Sequence, residues 1–120
     1  MSRFVLDTDH LTLLQRGHPV LRQRVAGTSP DDLATTIVTV EEQSRGWLDA
    51  IRRHGRSERQ VWAYRGLHDA LRSFGEITVL DFDESAYRTY TTLRPLRLRI
   101  GAQDVRIAAI VLANGGTAHP

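Results

Sequence analysis

Phe4-Val5-Leu6-Asp7-Thr8-Asp9-His10 is a short apolar run that closes on an acid. The run reads as a β-strand over Arg3–Asp7. Helical spacing follows at once, with Leu11 and Leu14 on one face of Thr8–Arg16 and Gly17 as the stop. A strand leading straight into a helix is the unit of an open α/β sheet, where ligands bind outside the carboxyl ends of the strands. Asp7 is therefore expected at that edge. One acid does no chemistry alone, so the rest of the chain decides what joins it.

Outward from this stretch, strands and helices alternate. Pro19 suits the first turn of a helix that turns Val20, Leu21 and Val25 inward. Gly27 to Asp32 is loop chemistry, and Leu33–Val38 is apolar and β-branched, a second strand. Thr39 then opens a helix whose buried face carries Val40, Ser44, Trp47, Leu48 and Ile51. After a break at Arg52–Ser57, Val61, Tyr64, Leu67, Leu71 and Phe74 recur at helical spacing up to Gly75. Ile77–Leu80 is a third strand, and Asp83 opens a helix that buries Tyr87, Tyr90 and Leu93 before Pro95. Gly101 precedes a last helix from Ala102 to about Ala113, apolar on nearly every side and so expected to be central. Asn114-Gly115-Gly116 ends it. Alternation of this kind predicts a parallel sheet covered on both faces.

Composition sets the outer limits. A chain of 120 residues, 41% hydrophobic and 25% charged, is one globular domain able to bury a core. The absence of cysteine excludes a disulfide framework, a thiolate metal site and a thiol nucleophile. No run has transmembrane length and the N-terminus lacks a signal-peptide pattern, so the expected setting is the cytoplasm, away from membranes. The net charge is +2, and all 16 basic residues are arginine. The plain reading of that choice is an arginine-rich genome composition. Whatever its origin, the guanidinium fork binds phosphate bidentately and favours an anionic partner.

Three acids occupy comparable points: Asp7 at the end of the first strand, Glu42 in the turn after the second, and Asp104 at the start of the last helix. Each has a plain structural explanation. Asp7 or Asp9 suits an N-cap, Thr39 with Glu42 fits a capping box, and Asp104 complements a helix dipole. Together they say more. Carboxylates sharing one sheet edge repel each other unless a cation sits among them. Hard oxygen donors suit Mg²⁺ or Mn²⁺, ions that polarise a phosphoryl oxygen and activate water. An acid cluster on an arginine-rich domain points to phosphodiester cleavage.

Three segments carry a family resemblance: Phe4-Val5-Leu6-Asp7-Thr8-Asp9, Val38-Thr39-Val40-Glu41-Glu42-Gln43-Ser44-Arg45-Gly46 and Ile100-Gly101-Ala102-Gln103-Asp104-Val105-Arg106-Ile107-Ala108-Ala109. They resemble, in order and spacing, the motifs of PIN-domain proteins, most closely the VapC toxins of bacterial toxin–antitoxin pairs. The resemblance implies a three-layer α/β/α sandwich with a short parallel sheet. It also implies a Mg²⁺-dependent endoribonuclease that cuts RNA, is silenced by a cognate antitoxin and often forms a homodimer. The family's metal-holding, catalytic acids fall on Asp7, Glu42 (rather than Glu41) and Asp104. Two departures stand out. Asp9 occupies a position that is usually asparagine, and Gly115–Pro120 does not match the strand that follows the last helix. The chain thus reads as a C-terminally truncated member without its last strand. That leaves open an inactive domain that still binds antitoxin or RNA.

Other features admit two readings. Arg45, Arg52, Arg53, His54, Arg56 and Arg59 form one basic run, and Arg94, Arg97, Arg99 and Arg106 another. They serve as a solvated face or as contacts along an RNA backbone. Trp47 and Trp62 are candidates for base stacking, with core or partner contacts as the rival role. The five histidines lack metal-binding spacing. Asp7-Thr8-Asp9 also resembles the nucleophile motif of haloacid-dehalogenase-type phosphatases. That family requires a lysine, absent here, and a glycine where His10 stands.

Overall fold

The structure, a computed structural model, describes residues 4–7, 19–29, 32–96, 100–115 and 117–118. The expected helix over Thr8–Arg16, Asp9, Arg97 and Arg99 lie outside the described residues. The elements are β1 (Phe4–Val5), α1 (Pro19–Ala26), β2 (Leu33–Thr36), α2 (Ile37–Arg53), α3 (Arg59–Phe74), β3 (Thr78–Leu80), α4 (Glu84–Leu93), a 3₁₀ turn (Arg94–Leu96), α5 (Ala102–Ala113) and β4 (Thr117–Ala118). Among the described residues no helix is long and apolar enough to cross a membrane.

The four strands form one sheet in the order β3–β2–β1–β4, and every pairing is parallel. All their carboxyl ends therefore lie at one edge. Successive side chains alternate between faces, as a pleated strand requires. Val5, Ala34 and Leu80 pack with Ala86 of α4 and with Ile110 and Val111 of α5. Leu6 packs on the opposite face with Ala70 and Phe74 of α3, where Trp47 and Val79 join them. The result is three layers, with α2 and α3 on one side and α4 and α5 on the other. Tyr90, Val105 and Ala109 then seal α4 against α5.

The last strand corrects an expectation. Thr117–Ala118, in the segment read as lacking that strand, pairs in parallel with β1. Gly115 has φ 65°, the left-handed conformation glycine tolerates, and it turns the chain out of α5 toward the sheet. A strand of two residues has too little pattern to be read as one.

The second strand is shorter than expected and the helix after it begins earlier. β2 ends at Thr36, not Val38, and α2 starts at Ile37. The cap is Thr36, whose hydroxyl accepts from the Thr39 N–H at 3.2 Å and meets the Thr39 hydroxyl at 3.2 Å. Thr39 is thus inside the helix, and Glu42 falls in the second turn, beyond the capping-box position. The run Thr35-Thr36-Ile37-Val38 is β-branched, which favours strand by propensity. A buried hydroxyl able to satisfy the free N–H groups stops the strand at Thr36.

Burial departs from the expected pattern along α3. Phe74 is buried as expected, but Val61, Tyr64 and Leu71 are more than half exposed, and Ala63 and Ala70 are buried instead. Small residues let the two helices approach closely. The Trp47 ring lies directly over Gly66, where an added Cβ would stand 2.2 Å from Cζ3. Val20, expected inward on α1, is 63% exposed, as are, to a lesser degree, Leu48 and Tyr87. The remaining ends agree with expectation. Pro19 opens α1, Asp83 caps α4 by accepting from Ala86 N–H at 2.9 Å, Gly75 caps α3, and α5 spans Ala102–Ala113 with Val105, Ala109, Ile110 and Val111 buried.

Two stability outcomes follow. Thr36→Val removes the cap and strands the buried Thr39 hydroxyl, so urea unfolding is expected to show a loss of about 2 kcal/mol. A loss no larger than that of an exposed threonine variant would remove the cap from this account. Gly66→Ala gains helix propensity of about 1 kcal/mol but forces the Trp47 ring off its seat, at about 1–3 kcal/mol. The expected readout is a lower midpoint with an altered near-ultraviolet tryptophan signal. An unchanged signal would show that the ring does not need Gly66.

Candidate functional site

Asp7 is positioned by hydrogen bonds that continue beyond the last paired residue of β1. Leu6 N–H donates to Ala34 O at 2.7 Å, and the buried Thr35 hydroxyl donates to Leu6 O at 2.7 Å. The register pairs Phe4 with Leu33 and Val5 with Ala34. Continued by two residues, it carries Asp7 level with Thr36, the cap of α2. Asp7 is half-buried there, on a central strand flanked on both sides.

Glu42 lies six residues past Thr36, about 9 Å along α2 at 1.5 Å per residue. Asp104 lies in the first turn of α5. That turn is docked on α2 by Gln103, whose Nε2 donates to Glu41 Oε1 at 3.0 Å. Glu41 also accepts from Arg45 on its own helix, and Gln103 Oε1 accepts from Arg106 at 2.8 Å. The Arg106 guanidinium in turn sits 5.0 Å from the centre of the Tyr90 ring. Topology therefore brings the strand end, the second turn of α2 and the first turn of α5 to one sheet edge. Glu42 is half-buried and Asp104 exposed.

The donor chemistry of these three residues fits a hard cation, since all three offer carboxylate oxygens. In arrangement they are less complete. Among the described residues no group of three or more His, Asp or Glu forms a set that could hold a metal ion. The three acids share an edge without converging into one shell.

Glu41 and Gln103 were not singled out by sequence pattern, yet they link the two helices that carry Glu42 and Asp104. They lie 62 positions apart. No local periodicity relates residues at that separation, so a sequence pattern had no way to pair them. Beside them is a pocket of about 660 Å³ whose lining includes Phe82, Arg45 and Arg106. Its two guanidinium groups could hold an anion next to the acid edge.

No family model and no curated protein matches the chain. Solved structures do. A chain of the DNA-bound VapBC from Salmonella typhimurium superposes with a TM-score of 0.74 at 22% identity, covering 96% of this chain and 83% of that one. A chain of VapBC2 from Rickettsia felis, bound to a DNA fragment from the promoter, gives 0.71 at 18% identity, covering 96% and 84%. A chain of FitAcB from Neisseria gonorrhoeae gives 0.68 at 20% identity, covering 96% and 84%. Identity at this level speaks for the fold. The chain has the architecture of the PIN-like α/β/α sandwich built on a short parallel sheet.

Proposed function

We propose that this chain is a metal-dependent endoribonuclease of the VapC type, the toxin of a toxin–antitoxin pair, acting in the cytoplasm on RNA. The observation that carries the reading is the placement of Asp7, Glu42 and Asp104 at the carboxyl edge of a PIN-like sheet. The likeness to chains from VapBC and FitAB complexes supports a cognate antitoxin as partner. A homodimer is part of the same proposal.

Asp7, Glu42 and Asp104 would hold Mg²⁺, with Mn²⁺ as a substitute. When bound, the ion supplies polarisation of a phosphoryl oxygen and a water of lowered pKa. The protein's own contribution is geometric. Asp7 stands on the central strand, fixed through Leu6 to β2. Glu42 and Asp104 reach the edge from two helices tied together by Glu41 and Gln103. Arg45 and Arg106, beside the acids, would orient the RNA phosphate.

A second reading keeps binding and drops cleavage. It is supported by the three acids, which among the described residues do not form a set that could hold a metal ion. In that reading the chain is an inactive PIN-like domain that retains antitoxin or RNA binding.

The purified protein is expected to cut single-stranded RNA with Mg²⁺ and to stop in EDTA. Asp7→Asn should lower the rate by about a hundredfold or more, since even supporting partners of metal ligands cost 10–100-fold. Equal cutting by both proteins would reject the assigned site. Cutting by neither would select the second reading.

A further inference from the structure

On the face of α2 away from Gln103, helices α2 and α3 enclose a groove of about 830 Å³. Its lining includes Arg53, Arg59, Arg65 and Arg72, against one carboxylate, Asp69, among the described lining residues. Trp47 and Trp62 also line it, edge to face with centres 5.1 Å apart and planes at 67°. Trp62 is 48% exposed although it is among the largest apolar side chains in the molecule. The Arg59 guanidinium lies 4.9 Å from its ring centre. Neither the fold nor the acid edge needs an exposed indole surrounded by arginines.

The α2 residues that line the groove lead along the helix toward Glu42. At 100° and 1.5 Å per residue, Gly46 lies about 40° and 6 Å from Glu42, and Arg53 about 20° and 17 Å. Both line the groove. Gly46 has no neighbour within 4 Å of where its Cβ would be, so a ligand backbone meets no side chain there. Glu41 points the other way, to Gln103. Around α2, Glu42 thus falls between Glu41, which lines the pocket beside α5, and Gly46, which lines this groove.

We propose that the α2–α3 groove is a second binding site for single-stranded RNA, one that grips the substrate a few nucleotides from the acid edge. The proposal rests on the ribonuclease reading and adds to it a place for the flanking strand. Arginine forks would take successive phosphates, and Trp62 would stack on a base. Stacking on an aromatic ring tolerates any base, so the groove contributes affinity rather than sequence choice. Charge favours any acidic chain, a peptide included. The indole face, and the lining positions Arg53 and Gly46 that lead along α2 toward Glu42, favour a polynucleotide.

The test is fluorescence anisotropy of a labelled single-stranded oligoribonucleotide in EDTA, where no cleavage is needed. Trp62→Ala is expected to weaken binding about tenfold or more, and Trp62→Phe to restore most of it. Arg53→Ala with Arg65→Ala should lower the slope of log affinity against log salt by about 1.4, since each phosphate contact on a single strand contributes about 0.7. Circular dichroism checks that each variant is folded. RNA binding unchanged in all these variants overturns the groove, and so does a loss confined to polyglutamate, which would mark a peptide site. Failure of the ribonuclease reading shows separately, as cleavage indifferent to Asp7→Asn or to Mg²⁺.

Discussion

Leu6 is held to β2 through both its backbone groups. Its N–H donates to Ala34 O and its carbonyl accepts from the Thr35 hydroxyl, each at 2.7 Å. β1 itself has two paired residues, and on its other side it is bonded to a strand no longer than itself. This clamp extends the pairing past the end of the strand and fixes where Asp7 leaves the sheet. It also orients the Leu6 side chain toward Ala70 and Phe74, which joins the α3 layer to the sheet. Thr35 is fully buried, so losing its hydroxyl partner would leave a polar group unsatisfied in the core.

The next constraint is the phase of α2. The Thr36 cap sets the first helical residue at Ile37, and every later position inherits its direction from that start. Glu41 consequently meets Gln103, while Gln43, Trp47 and Ala50 turn toward α3. Glu42 falls between the two. A shift of one residue would rotate the helix face by 100° and exchange the roles of the two neighbouring glutamates. The hydroxyl at the end of β2 therefore governs which carboxylate stands at the sheet edge.

The hairpin of α2 and α3 shows how size competes with hydrophobicity. Apolar spacing alone favours a buried face through Val61, Tyr64, Leu67, Leu71 and Phe74. The structure buries Phe74 as expected but fills the rest of the contact with Ala63 and Ala70 and seats Trp47 on Gly66. Close approach of two helices rewards small residues at the contact, because each then packs against the facing ring without a void. Val61, Tyr64 and Leu71 are left on the outer surface, and Trp62 at the mouth of the groove.

The sequence alone determined the alternation of strands and helices, the boundaries of α5, and the caps at Asp83 and Gly75. These features are local. Apolar periodicity, turn residues and the direction of a parallel strand are written over a few neighbouring positions. Tertiary structure decided the rest: the start of α2 at Ile37, the inner face of α3, the return of Thr117–Ala118 beside β1, and the Glu41–Gln103 tie. Each depends on partners far away in the chain, so no window of neighbouring residues contains it. The acids themselves belong to both kinds. Their residue type and position in the chain were legible, while how near their oxygens stand to one another is set by how α2 and α5 pack against the sheet.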